Sequence, residues 1–222
     1  MKILDIPQSG KRGLNVSEGG RNGQISRILA IPSNPRSDAQ MAVRHALSSM
    51  AAKWRTLTEE QRLAWIAAAK GRKSAPRLGQ SGPLTGSQLF AKINCSLATL
   101  GTDPVLVPPP FPEFPGNPAG ALQITNTGGA ISLKLACPST PLPSTTVRGA
   151  PPCSQGKYCV EDYRILGVLP TPAQGACDIT SLYTARYGVP AVGSKVFIRV
   201  NQNVNGWEDI PVQTSAIVPA AT

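Results

Sequence analysis

Apolar positions change their spacing twice along this chain. Over residues 1–36 they form short runs broken by glycine: Ile3, Leu4 and Ile6, then Ile25, Ile28, Leu29 and Ile31 in GQISRILAIPSNP. Pro32 and Pro35 stop the second run before it can join a helix. Over residues 37–103 the spacing becomes helical, and three segments each open on the same cap. SDAQ, TEEQ and TGSQ place Ser37, Thr58 and Thr85 three residues ahead of Gln40, Gln61 and Gln88, which is the capping-box pattern. Val43, Leu47, Met50 and Trp54 mark a buried stripe on the first helix. Leu63, Trp65, Ile66 and Ala67 mark the second. Leu89, Ile93, Leu97 and Leu100 mark the third, with Gly71 and Gly101 as stops. A helical core around Trp54, Trp65, Phe90 and Ile93 follows.

Beyond Asp103 the pattern shortens again. DPVLVPPPFPEFPGNP is proline-rich and reads as a stiff connector or a packed edge strand. Candidate strands follow at 122–125, 130–137, 145–148, 159–166, 195–202 and 210–218, separated by turn signals such as Asn205-Gly206, which favours a tight hairpin. ITSLYTARYGVP adds a helical turn near Tyr183 and Tyr187. The expected architecture is α+β and multidomain: an assembly arm over 1–36, a helical module over 37–103, a connector over 104–120 and an antiparallel β-sandwich over 121–222. Isolated strands are unstable, so those of the arm must pair either within the chain's own sheet or on a neighbouring subunit.

Composition agrees with short strands and turns. The 222 residues include 22 prolines and 21 glycines, only 15% are charged, and 41% are hydrophobic, which excludes wholesale disorder. The net charge of +10 is uneven: residues 1–80 hold 14 Lys/Arg against five Asp/Glu, a balance of +9, and residues 81–222 hold eight against seven. A basic module beside a neutral one suits nucleic acid, an anionic surface, or an acidic patch on a neighbour, as well as a merely solvated face. In the nucleic-acid reading, Lys53, Arg55, Arg62, Lys70, Arg72, Lys73 and Arg77 neutralise phosphates. MKILDIPQSGKRG lacks the apolar region of an ordinary signal peptide, and no stretch reaches the ~18 apolar residues of a membrane helix.

Chemistry-bearing residues are sparse. His45, the single histidine, lies mid-helix with no acid nearby in sequence. Glu161-Asp162 and Glu208-Asp209 are adjacent pairs, and neighbours on a strand point to opposite faces. No phosphate-binding loop and no spaced calcium motif occur. The expectation is therefore a non-enzyme with no cofactor, no metal and no small-molecule substrate. Of the five cysteines, Cys153 with Cys159 and Cys137 with Cys177 are candidate disulfides, and Cys95 reads as a buried free thiol. Zinc is disfavoured by the absence of CxxC.

Three resemblances add to this reading. SKVFIRVNQNVNGWEDIPVQTSAIV resembles the closing strands of fibronectin type III and related Ig-like modules, which implies a fold and no activity. WRTLTEEQRLAWIAAAKGRK is similar to the final helix region of an HMG box, through Trp54, Leu57, Glu60, Trp65, Ala69 and Lys70. Over most of its length the chain looks like a type of protein seen in bacteria and their phages, with an arm, a W.LT..QR.AW helix, a G.LTG.QLF helix and a β domain. Gly23, Gln24, Pro32, Asn34, Pro35, Trp54, Gln61, Trp65, Gly86, Gln88 and Phe90 carry that resemblance, and it implies a structural or virion-like role. The favoured expectation is a structural subunit that assembles with copies of itself through the arm, into an extracellular filament or a phage-like particle. The alternative is a nucleic-acid-binding protein that uses the basic helical module.

Overall fold

A computed structural model describes residues 8–20, 23–74 and 81–221. The chain divides into two compact units, Met1–Val43 and Arg44–Thr222, with the boundary inside the first helix. In the first unit, β1 (Gly10–Arg12), β2 (Asn15–Gly20) and β3 (Gly23–Ile28) form an antiparallel meander in that order. Gly13 makes the first turn at φ 59°, a left-handed conformation that suits a residue without Cβ. Val16 faces Arg27 and Glu18 faces Ile25 in register. The candidate arm residues Ile3, Leu4 and Ile6 lie outside the described residues.

The helices are α1 (Asp38–Thr56), α2 (Glu59–Ala69) and α3 (Gly86–Thr99). Complete capping boxes open α2 and α3: the Thr58 and Thr85 hydroxyls accept from the Gln61 and Gln88 N–H groups, and each glutamine side chain accepts from its own threonine N–H. At α1 the Ser37 hydroxyl accepts from Gln40 N–H at 3.4 Å. Gly86 lets α3 start against α2, since a Cβ there would stand 2.8 Å from Ile66 Cγ1 and 2.9 Å from the Ile66 nitrogen. Met50, Leu57, Trp65, Ala69, Leu89, Phe90, Ile93 and Leu97 form the helical core. The expected stripe on α1 is only partly a core face. Met50 is buried and Trp54 half-buried, whereas Val43 and Leu47 are 61% and 52% exposed. The capping signal sets where α1 starts, and periodicity alone does not supply a neighbour for its first two turns.

The strand-rich part contains β4 (Leu122–Thr127), β5 (Ala130–Ala136), β6 (Thr146–Gly149), β7 (Arg164–Val168), β8 (Ala176–Asp178), helix α4 (Thr180–Tyr187), β9 (Lys195–Asn201), the hairpin β10 (Asn203–Val204) and β11 (Trp207–Glu208), and β12 (Val212–Ile217). All pairings are antiparallel, in a sheet of order β4-β5-β8 and another of order β12-β9-β6-β7. One core joins the two sheets: Leu122, Leu133 and Leu135 from the first meet Val147, Val196, Ile198 and Val200 from the second, with Tyr183 of α4. The hairpin turn has Asn205 at φ 50° and Gly206 at φ 86°, the two consecutive left-handed residues of a type I′ turn. The strand expected over 159–166 begins only at Arg164, because the segment before it folds into turns and bends.

The proline-rich segment is packed. Asn94, fully buried on α3, accepts the Val105 N–H at 2.7 Å and donates to the Val105 carbonyl. The Trp65 and Trp207 indoles donate to the Leu106 and Pro109 carbonyls. A proline-rich backbone offers carbonyls and few N–H donors, so donor side chains are its natural partners. Trp207, from the hairpin, belongs to the helical core. The helices from Arg44 onward and the strand-rich part lie within one compact unit.

All five cysteines stand as free thiols. Cys177 faces Leu135 across the β5–β8 ladder while the Cys137 N–H bonds to the Gly175 carbonyl. That makes Cys137 and Cys177 diagonal neighbours, with their thiols in hydrogen-bonding contact. Burial, followed by the adjacent Cys137 thiol, pushes the Cys177 thiol up to about 12. Cys153 is fixed by a β-bridge to Lys195, with its thiol donating to the Pro151 carbonyl, while Cys159 is exposed. Cys95 is half-buried, and burial raises its pKa.

Candidate assembly surfaces

The described part of the arm is a three-stranded sheet. Among its described residues all are exposed or half-buried, and β1 is exposed throughout. Its apolar groups point outward: Leu14 is 77% exposed, Ile28 75% and Ile31 87%, with Ile25 at 37% and Leu29 half-buried. Burial of apolar area is what ordinarily stabilises a small sheet, and only the Arg27–Glu18 ion pair, exposed at 3.4 Å, adds a side-chain tie across β2 and β3. An exposed pair of this kind contributes about 0–1 kcal/mol.

The backbone of the arm has a definite phase. Leu29 N–H bonds the Leu14 carbonyl at 2.6 Å, so the pairs Leu14–Leu29, Val16–Arg27 and Glu18–Ile25 face one another with hydrogen bonds. Gln24, Ser26 and Ile28 then direct their N–H and C=O groups away from β2. Among the described residues no backbone partner meets them. The sequence pattern showed the apolar run of β3 but not Leu14, which sits in the β1–β2 turn, where no periodicity applies.

In the second unit, a groove of about 400 Å³ lies between α1 and α3, floored by Met50, Trp54 and Ala91 and flanked by Leu47 and Arg55. A smaller polar hollow of about 210 Å³ lies beside α3, where Arg148 pairs with Glu208 at 2.7 Å and Ser96 donates to the same carboxylate. The Glu208 carboxylate is thereby committed to that pair. Glu161 and Asp162 are both exposed in the lead-in to β7. His45 is exposed on α1, and its carbonyl accepts from the Ser48 hydroxyl. Among the described residues no three His, Cys, Asp or Glu side chains converge on one point.

Of the basic residues assigned to phosphate contact, Arg72 and Arg62 have partners within the chain. Arg72 stacks over Trp207 at 4.2 Å and Phe111 at 4.8 Å while its Nε donates to the Ala68 carbonyl. Arg62 donates to the Arg55 carbonyl and stands 3.8 Å from Glu59. Lys53 is half-buried; Arg55, Lys70 and Lys73 are exposed, and Arg77 lies outside the described residues. No helix among the described residues is long and apolar enough to cross a membrane. No family model, no curated protein and no solved structure matches this chain.

Proposed function

We propose that this protein is a non-enzymatic structural subunit that assembles with copies of itself through its N-terminal arm, into an extracellular filament or a phage-like particle. In this reading the strand-rich part is an Ig- or fibronectin III-like sandwich that forms the repeating surface, and the helices are its hub. One observation carries the proposal: a three-stranded arm whose described residues include no buried side chain and whose apolar groups Leu14, Ile28 and Ile31 face solvent. Exposed apolar strands with unpaired backbone are costly to keep and prone to pair with another chain. The basic balance of residues 1–80 suits contact with an acidic patch on a neighbouring copy.

Deletion of residues 1–33 tests it. Light scattering coupled to size-exclusion chromatography, with negative-stain microscopy, should find assemblies of the full chain and a folded monomer of the truncated one. Full-size assemblies of the truncated chain overturn the proposal.

A further inference from the structure

We propose that β3 of one copy adds as a fifth strand to the β12-β9-β6-β7 sheet of a neighbouring copy, along the free edge of β7. The inference rests on the self-assembly reading above and names the receiving site. β7 is the last strand of its sheet and, among the described residues, pairs with β6. Leu169 N–H bonds the Thr145 carbonyl at 2.8 Å, so the phase of the ladder turns the Val168 N–H and C=O away from β6. Among the described residues nothing on the backbone meets them. Ile165 and Val168 are 36% and 44% exposed along this edge.

The other outer strands each have a neighbouring element. β12 and β4 lie against each other, with Leu122 N–H donating to the Thr214 hydroxyl at 3.0 Å. β8 has three residues and is flanked by the Ala173–Ala176 bridge and α4. β7 offers five residues of edge, against six in β3. The outward groups of Gln24, Ser26 and Ile28 are the matching half of such a ladder, and Ile28, on the same face as Gln24 and Ser26, brings apolar surface to Ile165 and Val168.

Charge gives the direction. An antiparallel addition runs the arm from Val168 towards Arg164, so the segment after Ile28, with Arg36, arrives beside the exposed Glu161 and Asp162. Residues 1–36 hold six Lys/Arg and two Asp/Glu, and Arg164 offsets only one of the two acids. The occupant is therefore the arm of a second copy.

Hydrogen exchange on the full-length protein reads the site directly. The Val168 amide should exchange slowly in the assembled state and lose that protection on dilution to monomer. Ser26→Pro removes an outward N–H without touching a β2–β3 bond and should abolish assembly, while Ser26→Ala assembles normally. Equal Val168 exchange in assembly and monomer overturns the proposal even if the proline variant misfolds, and so does normal assembly of Ser26→Pro. If deletion of residues 1–33 abolishes assembly while Val168 exchange is unchanged, the arm links copies at another site and this inference alone fails. If that deletion leaves assembly intact, the self-assembly reading itself fails.

Discussion

Trp54 and Trp65 stand eleven residues apart in similar sequence surroundings, yet they do different work. Trp65 is fully buried, meets Phe90 edge-on at 5.3 Å and donates to the Leu106 carbonyl. Trp54 tilts against the same Phe90 at 5.5 Å but stays half-buried over the α1–α3 groove. Removing the Trp65 ring leaves a cavity and an unpaired carbonyl, so Trp65→Ala should cost about 3–5 kcal/mol in urea melts. Trp54→Ala should cost clearly less, because solvent already reaches one side of its ring. Equal losses would contradict the packing described. Gly206 is the other residue whose identity is fixed by space: a Cβ there would stand 2.5 Å from Ile93 Cγ2 and 2.8 Å from the Ile93 carbonyl oxygen.

Two elements depend on single polar side chains. Asn94 ties the proline-rich segment to α3 through both main-chain groups of Val105. Asn94→Leu leaves those groups buried without partners, a loss of about 1–3 kcal/mol for each group left unsatisfied. The measurable result is a lower urea midpoint together with faster proteolysis between Asp103 and Pro118. Unchanged proteolysis would show that the indole contacts alone hold the segment. α4 opens on Asp178, whose carboxylate accepts the Thr180 N–H at 2.9 Å. The Thr180 hydroxyl, then its N–H, hold the Asp178 carboxyl below its ordinary value. A group depressed on folding stabilises the native state above its unfolded pKa, and that contribution fades as pH falls through the folded value. Stability should therefore decline below about pH 4, and Asp178→Asn should flatten that part of the pH profile. An NMR titration placing Asp178 at or above the ordinary aspartate value would remove the argument.

At the scale of the molecule, residues 44–222 should unfold as one body. Trp207 of the strand-rich part sits in the helical core, and Arg72 of the helical part stacks on it. Thermal unfolding followed by tryptophan fluorescence and by far-ultraviolet circular dichroism should give coincident transitions. Two separated transitions would mean that helices and strands melt independently. The 210 Å³ hollow beside α3 lies along the same seam, and its Arg148–Glu208 pair is held by side chains from β6 and β11. Assembly adds a term that these melts expose: a midpoint that rises with protein concentration in the full chain and not after removal of residues 1–33.

Local signals carried the parts of this fold that depend on neighbours in sequence. The threonine–glutamine boxes fixed the starts of α2 and α3, because cap and partner lie within one turn. Asn205-Gly206 fixed the hairpin, because two left-handed residues are a local requirement. The α+β order and most strands of the strand-rich part were legible for the same reason. Tertiary structure decided the rest. Val43 and Leu47 have the spacing of a core face, but a stripe is buried only if another element covers it, and these residues are exposed. Cys137 and Cys177 became diagonal neighbours through ladder register, which no spacing of cysteines encodes. The short β8 carries too few residues for a pattern and is defined by its pairing with β5. The proline-rich segment left a choice between spacer and packed strand, and the side chains of Trp65, Asn94 and Trp207, distant in sequence, settled it as packed. The positions of β3 and β7 at the edges of their sheets are likewise products of strand order, since an edge exists only once a sheet has been laid out.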